Sequence, residues 1–268
     1  MRTTEDSIAR YNKAADAFEA LSGKLLAQNY ETKQRDITNA RNAAINAGAE
    51  ALIPDFLLDA DNTAADAYGK YQAKDYYAAN TTADDALSMY LVLKAGLDAY
   101  KIREEIVARG FEIYDPQNIQ LADDTLQGAA QDYSAKNIAA AKDKVDSATL
   151  RYNLALKTAW ESYASEQGAY AATERQNALD LKANVAVRQD YNSAQAIYAR
   201  ANTAFQAQRY EEAATAYEES GSMFEVIAQV ALEKRNAAED ALRRANQKMS
   251  ESDETAKNAE VILEGGVQ

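Results

Sequence analysis

Paired carboxylates are the first groups in this chain that could do acid–base work: Asp84-Asp85, Glu104-Glu105, Asp123-Asp124 and Glu211-Glu212. A general acid and a general base must converge on one substrate, yet neighbours on a helix point about 100° apart, so these doublets read as solvated faces. Asp59-Ala60-Asp61-Asn62 opens like a calcium loop, but the sixth position is Ala64 instead of Gly and the twelfth is Lys70 instead of a bidentate Glu. Histidine and cysteine are absent, which removes the commonest general base near neutral pH, thiol nucleophiles, disulfides and the usual zinc ligands. No Gly-rich phosphate loop or serine–histidine–aspartate set is present. The expectation is therefore no catalytic residue, no metal and no cofactor: the chain is not an enzyme.

Aromatic side chains offer a different chemistry, that of binding. There are 17 tyrosines. Tyr71, Tyr90, Tyr133, Tyr152 and Tyr198 fall on apolar ladders, where a ring fills volume and sends its hydroxyl to the rim. Tyr68, Tyr77, Tyr163 and Tyr170 lie off the ladders and could line a surface. Trp160, the single tryptophan, stands in Lys157-Thr158-Ala159-Trp160-Glu161-Ser162-Tyr163 and flanks the seam position Ala159. With Tyr163 after it and Arg151-Tyr152 before it, Trp160 is either a packing residue beside the seam or the centre of a binding patch, since buried aromatic anchors dominate many interfaces.

These residues must be positioned by helices. Ala and Tyr dominate an apolar content of 47%, with only 10 Gly and 2 Pro, a composition with little punctuation for strands or tight turns. One phrase occurs four times, as Ala27-Gln28-Asn29-Tyr30, Ala73-Lys74-Asp75-Tyr76, Ala135-Lys136-Asn137-Ile138 and Ala207-Gln208-Arg209-Tyr210, at spacings of 46, 62 and 72 residues. An apolar ladder precedes each: Tyr11, Ala14, Phe18, Leu21, Leu25; then Leu57, Ala60, Ala64, Ala67, Tyr71; then Ile119, Ala122, Leu126, Ala129, Tyr133; then Tyr191, Ala194, Tyr198, Ala201, Phe205. Alternating steps of three and four put each set on one helix face, and the second rung is Ala every time, which admits a neighbouring helix closely. A second ladder follows each phrase in the same phase, so each copy is expected to be a hairpin with near-antiparallel packing. Asn29, Asp75 and Asn137 stand where an N-cap is useful, and Pro54 and Pro116 mark helix starts.

The run Lys74-Asp75-Tyr76 followed by Ala78-Ala79, Ala86 and Tyr90, and more closely Arg209-Tyr210-Glu211-Glu212-Ala213 with Tyr217, resembles the hairpin of the tetratricopeptide repeat. It is similar also to helical-repeat domains of unassigned function in bacterial envelope lipoproteins. The family repeats every 34 residues and usually has Gly before the turn. Here the spacing is longer and Ala takes that place, so the resemblance implies a binding scaffold but not the family's peptide groove.

The extra length lies in the second helix of each copy. From Tyr76 and from Ile138 helices of roughly 35 and 45 residues are expected, about 50 and 70 Å long. The fold expected is all-α: four consecutive helical hairpins with long antiparallel helices, stacked into an elongated staggered rod or solenoid. Their spans are 1–50, 51–110, 111–186 with an extended second helix, and 187–262 with a C-terminal helix, followed by a frayed tail over 263–268, all as one continuous repeat domain.

A net charge of −13, from 42 acidic and 29 basic residues, argues against nucleic acid. No apolar run is long enough for a transmembrane helix, and the polar start lacks a signal core, so a leader or lipid anchor would lie outside this sequence. The function expected is a non-enzymatic scaffold or adaptor for protein partners, in the periplasm or cell envelope, with the cytoplasm as the alternative compartment. The alternative function is a solute-binding component holding a small organic ligand between helices.

Overall fold

The computed structural model describes residues 4–265, and nearly all of them are helical, with no strand among them. They form two compact units, one ending at Thr158 and the other starting at Ala159, and the division falls inside a long helix. The first unit holds α1 (Thr4–Ala47), the single turn α2 (Ala49–Leu52), α3 (Pro54–Gln72), α4 (Tyr76–Ala108), a 3-10 turn (Phe111–Ile113), α5 (Pro116–Ser134) and the beginning of α6 (Ile138–Asp180). The second holds the rest of α6, the single turn α7 (Ala183–Ala186), α8 (Arg188–Gln206) and α9 (Tyr210–Gly265).

In α3, α5 and α8 the apolar ladders are the inner faces. Leu57, Ala60 and Ala67 are buried in α3, Ile119, Ala122, Ala129 and Tyr133 in α5, and Tyr191, Ala194 and Ala201 in α8. The second rung, Ala60, Ala122 and Ala194, has no exposed surface at all. A larger side chain there would hold the facing helix away.

Each of these helices closes in the same way. Lys74, Lys136 and Gln208 adopt the left-handed conformation, with φ of 64°, 62° and 58°. The amide of Lys74 donates to the Tyr71 carbonyl at 2.9 Å and that of Asp75 to the Lys70 carbonyl at 3.0 Å. The same two bonds recur from Lys136 and Asn137, and again from Gln208 and Arg209. This is the Schellman closure, which satisfies carbonyls that a helix end would otherwise leave bare. Asp75 then caps α4 by accepting from the Ala78 amide at 3.1 Å. At the other end Pro54 and Pro116 open α3 and α5, each six residues after a left-handed glycine, Gly48 (φ 112°) and Gly110 (φ 69°). Lys182 (φ 59°) and Arg188 hold those places before α8.

A polar tie joins three helices of each repeat in the first unit. Arg41 on α1 donates from Nε and Nη2 to the two oxygens of Asp61 on α3, both at 2.8 Å, and the Tyr90 hydroxyl on α4 donates to the same carboxylate. Arg103, Asp123 and Tyr152 repeat the arrangement on α4, α5 and α6. The Arg41 hydrogen bonds hold the Asp61 carboxyl below the usual carboxylate range, and burial pushes the Tyr90 hydroxyl up. Asp61, which opened like a calcium ligand, is thus committed to a guanidinium. In the second unit the tie lacks its carboxylate and its hydroxyl: Arg175 donates to Gln195 at 2.6 Å, and Phe224 stands where the tyrosine would be.

The first copy departs from expectation. Residues 1–50 were expected to form a hairpin, but α1 runs unbroken through Ala27-Gln28-Asn29-Tyr30, and Gln28 stays helical. From Tyr30 onward the inner face of α1, with Ile37, Ala40 and Ala44, is buried, and Asn29 and Lys33 bond to Asn80 and Asp84 of α4. The opposite side, Gln34, Arg35, Thr38, Asn39 and Asn42, is polar and exposed. A helix folded back from residue 28 would find no apolar surface to cover, so no turn forms. The expected helical extension at the C-terminus is present, with α9 exposed from Glu233 to Glu260. α9 continues through residues 263–265, where fraying was expected to begin, and residues 266–268 lie outside the described residues.

Ala60→Leu, Ala122→Leu and Ala194→Leu should each cost about 1 to 3 kcal/mol by overpacking a helix contact. Ala14→Leu, on the uncovered ladder of α1, should leave urea unfolding unchanged. Equal effects at all four positions would show that the rung is not a close contact.

Candidate functional site

The four residues expected to form a binding patch separate into two pairs. Tyr152 is wholly buried in the first unit, its hydroxyl donates to Asp123, and burial foremost, then Asp123, pushes its pKa up. It belongs to the polar tie. Arg151 beside it reaches the Asn118 side chain on α5 at 3.4 Å. Trp160 and Tyr163 belong to the second unit and meet edge to face, with ring centroids 6.1 Å apart. Both are half-buried against an alanine-rich cluster that includes Ala164, Ala204 and Ala213.

Two other features stand out as sites. One is a cavity of about 340 Å³ in the first unit, lined among others by Ile53, Phe56, Leu97, Leu126, Tyr133 and Val145. No charged residue lines it. Two helices present small residues to it, Gly96 from α4 and Ala129 and Ala130 from α5, and the Tyr133 hydroxyl is satisfied by the Phe56 carbonyl at 3.1 Å. Its size lies at the lower end of the range for small-molecule pockets.

The other is the free half of α1. Ile8, Tyr11, Phe18, Leu21 and Leu25 are exposed, Tyr11 by 76% and Phe18 by 74%. The matching ladders of α3, α5 and α8 are covered, so this is one repeat's inner face without its partner. Leu25 is exposed whereas the adjacent Leu26, about 100° round the helix, is half-buried, so the stripe runs beside the face that α1 packs on its own unit.

Among the described residues no group of acidic side chains could hold a metal ion, and no helix is long and apolar enough to cross a membrane.

The chain is 21% identical over 235 residues to treponemal membrane protein A of Treponema phagedenis, an alignment covering 88% of this chain and 68% of that protein. No family model matches the chain, and no solved structure does. The resemblance to the tetratricopeptide repeat therefore rests on the hairpin residues alone, with an all-helical fold around them.

Sequence reasoning passed over the cavity because its walls are ordinary ladder residues. The available signal was a difference between copies: Leu126 and Val145 occupy positions that hold Tyr198 and Tyr217 seventy-two residues later.

Trp160→Ala should lower stability by about 1 to 3 kcal/mol, less than the 3 to 5 typical of a fully buried aromatic. Urea unfolding checks this, and the intrinsic emission of the single tryptophan should lie between the buried and solvent-exposed limits. A loss of 4 kcal/mol or more, with fully blue emission, would contradict the half-buried placement.

Proposed function

We propose that the chain is a non-catalytic helical-repeat scaffold or adaptor of a bacterial cell envelope, which engages protein partners through helix faces left uncovered by its own packing. The observation that carries this reading is the stripe Ile8, Tyr11, Phe18, Leu21 and Leu25, about five turns long and exposed. Contiguous apolar surface of this kind marks an interaction site in a protein otherwise rich in charge. Its mode is that of an amphipathic helix offered to a complementary groove or helix. Envelope association is supported by the likeness to a treponemal membrane protein. The non-catalytic reading is supported by the carboxylates, several of which are tied in pairs to Lys or Arg, as Asp61 to Arg41, Asp84 to Lys33 and Glu105 to Arg109.

A photo-crosslinking residue placed at position 18 in living cells should give a discrete adduct with an envelope protein. Tyr11→Ser in the same chain should reduce it about tenfold or more, as loss of a central aromatic contact does, and should leave the melting temperature unchanged. No adduct, or an adduct indifferent to Tyr11, would contradict the scaffold reading.

A second reading, a solute-binding component, is favoured by the uncharged cavity between α3, α4, α5 and α6.

A further inference from the structure

The two later repeats can be laid on each other by their left-handed residues, Gly110 and Lys136 on Lys182 and Gln208. The offset is then 72 residues from α4 onward, and it pairs wall positions of the second repeat with positions of the third, where Val92, Leu93, Leu97 and Tyr100 fall on the smaller Ala164, Ser165, Ala169 and Ala172. Gly96 falls on Gly168, Leu126 on Tyr198, Ala130 on Asn202, Tyr133 on Phe205 and Val145 on Tyr217.

In the third repeat the larger of these residues meet one another. Tyr217 is buried and lies edge to face with Tyr198, centroids 5.7 Å apart. Its hydroxyl donates to the Asn202 side chain at 2.7 Å. Its ring lies so close to Gly168 that a Cβ there would stand 3.2 Å from it, which gives that glycine a steric reason. In the second repeat every one of these groups is cut back. Val145 replaces the Tyr217 ring, Ala130 replaces the amide that held it, and Leu126 replaces Tyr198. A Cβ on Gly96 would approach Val145 no closer than 3.8 Å, an ordinary contact, so helix packing does not require glycine there. Glycine inside a helix is nevertheless unfavourable relative to alanine. Leu126, Ala130 and Val145 all line the opening of about 340 Å³.

We infer that this cavity is a binding site for an aliphatic chain, such as an acyl chain, open in the second repeat because it lacks the Tyr–Asn plug that closes the third. The inference rests on the solute-binding reading and names the ligand class. The wall is made mostly of Leu, Ile, Val and Ala with no charged group, and the Tyr133 hydroxyl is already bonded. A ligand's charged group would be desolvated there without a partner, so only an uncharged portion enters. Tyr100 is the other lining residue with a side-chain hydroxyl, and it is half-buried. Burial of methylenes then carries the affinity, each worth about fourfold.

The test uses the full chain and cis-parinaric acid as fluorescent probe, displaced by n-alkanols of increasing length. The wild type should bind the probe at one site, and alkanol affinity should rise about threefold to fourfold per methylene until the cavity is full, then level off. The double variant V145Y/A130N installs the plug of the third repeat, and probe affinity should fall at least tenfold while helicity is retained. Leu126→Tyr, also taken from the third repeat, provides a second closure should the double variant not fold. Phosphatidylcholine vesicles form a separate arm and are removed by sedimentation before the probe is added: lowered probe binding afterwards identifies a membrane lipid as the source of the chain, and unchanged binding identifies a free aliphatic molecule, the site standing in both cases. Wild-type affinity that does not depend on chain length would overturn the inference. Equal probe binding by folded, plugged variants would also overturn it, while leaving the solute-binding reading intact at another place. Failure of the wild type to bind any probe or alkanol would remove both.

Discussion

The constraint on which the rest depends is a fixed distance between two chain reversals. In each complete repeat a left-handed residue is followed 26 positions later by another, Gly48 to Lys74, Gly110 to Lys136 and Lys182 to Gln208. Between them there is room for one helical turn and one helix of 19 residues, and α3, α5 and α8 all have that length. A helix of fixed length between fixed reversals puts its second rung at a constant height, which is why alanine can recur there and be fully buried each time. The long helices vary freely, 33 residues in α4 and 43 in α6, because nothing in the reversal limits them. Repeat spacing is irregular for that reason, while the hairpin core is not.

Within this frame the repeats diverge in what fills the contacts. The Arg–Asp–Tyr tie is charged in the first two and becomes Arg–Gln with a phenylalanine in the third. With the carboxylate gone, a tyrosine there would lose the acceptor of its hydroxyl, and phenylalanine has no hydroxyl to satisfy, while Arg175 keeps a hydrogen bond to Gln195. The third repeat instead gains the Tyr217–Asn202 bond and a packed group of aromatic rings. Polar specification in one repeat and aromatic filling in another reach the same backbone. The cavity of the second repeat lies where neither device is used.

Much of this was legible in the sequence, and the parts that were not share a cause. The ladders, the alanine rung and the helix starts at Pro54 and Pro116 depend on residue type and period, and the structure places them as read. The reversals at Lys74, Lys136, Lys182 and Gln208 carry no glycine, so the usual signal of a left-handed residue is missing. For the same reason the phrase at Ala27-Gln28-Asn29-Tyr30 looked like its three counterparts, though α1 continues through it. What decides between turn and helix there is whether a covering surface exists, and that belongs to the tertiary structure. Tyr152 reads from the sequence both as a ladder residue and as a member of a binding patch, and the Asp123 carboxylate that accepts its hydroxyl decides for the ladder.

The left-handed residue is the element that turns a ladder into a hairpin, and glycine substitution tests this directly. Lys74→Gly, Lys136→Gly and Gln208→Gly remove a strained Cβ and should each raise the free energy of unfolding, by about 0.5 to 1 kcal/mol. Gln28→Gly, at the matching place in the first copy, should give the opposite sign and lose up to about 1 kcal/mol, because it puts glycine inside a helix. Urea unfolding of the four variants gives the answer. Stabilisation at position 28, or destabilisation at the other three, would contradict the assignment of one unbroken helix and three closed hairpins.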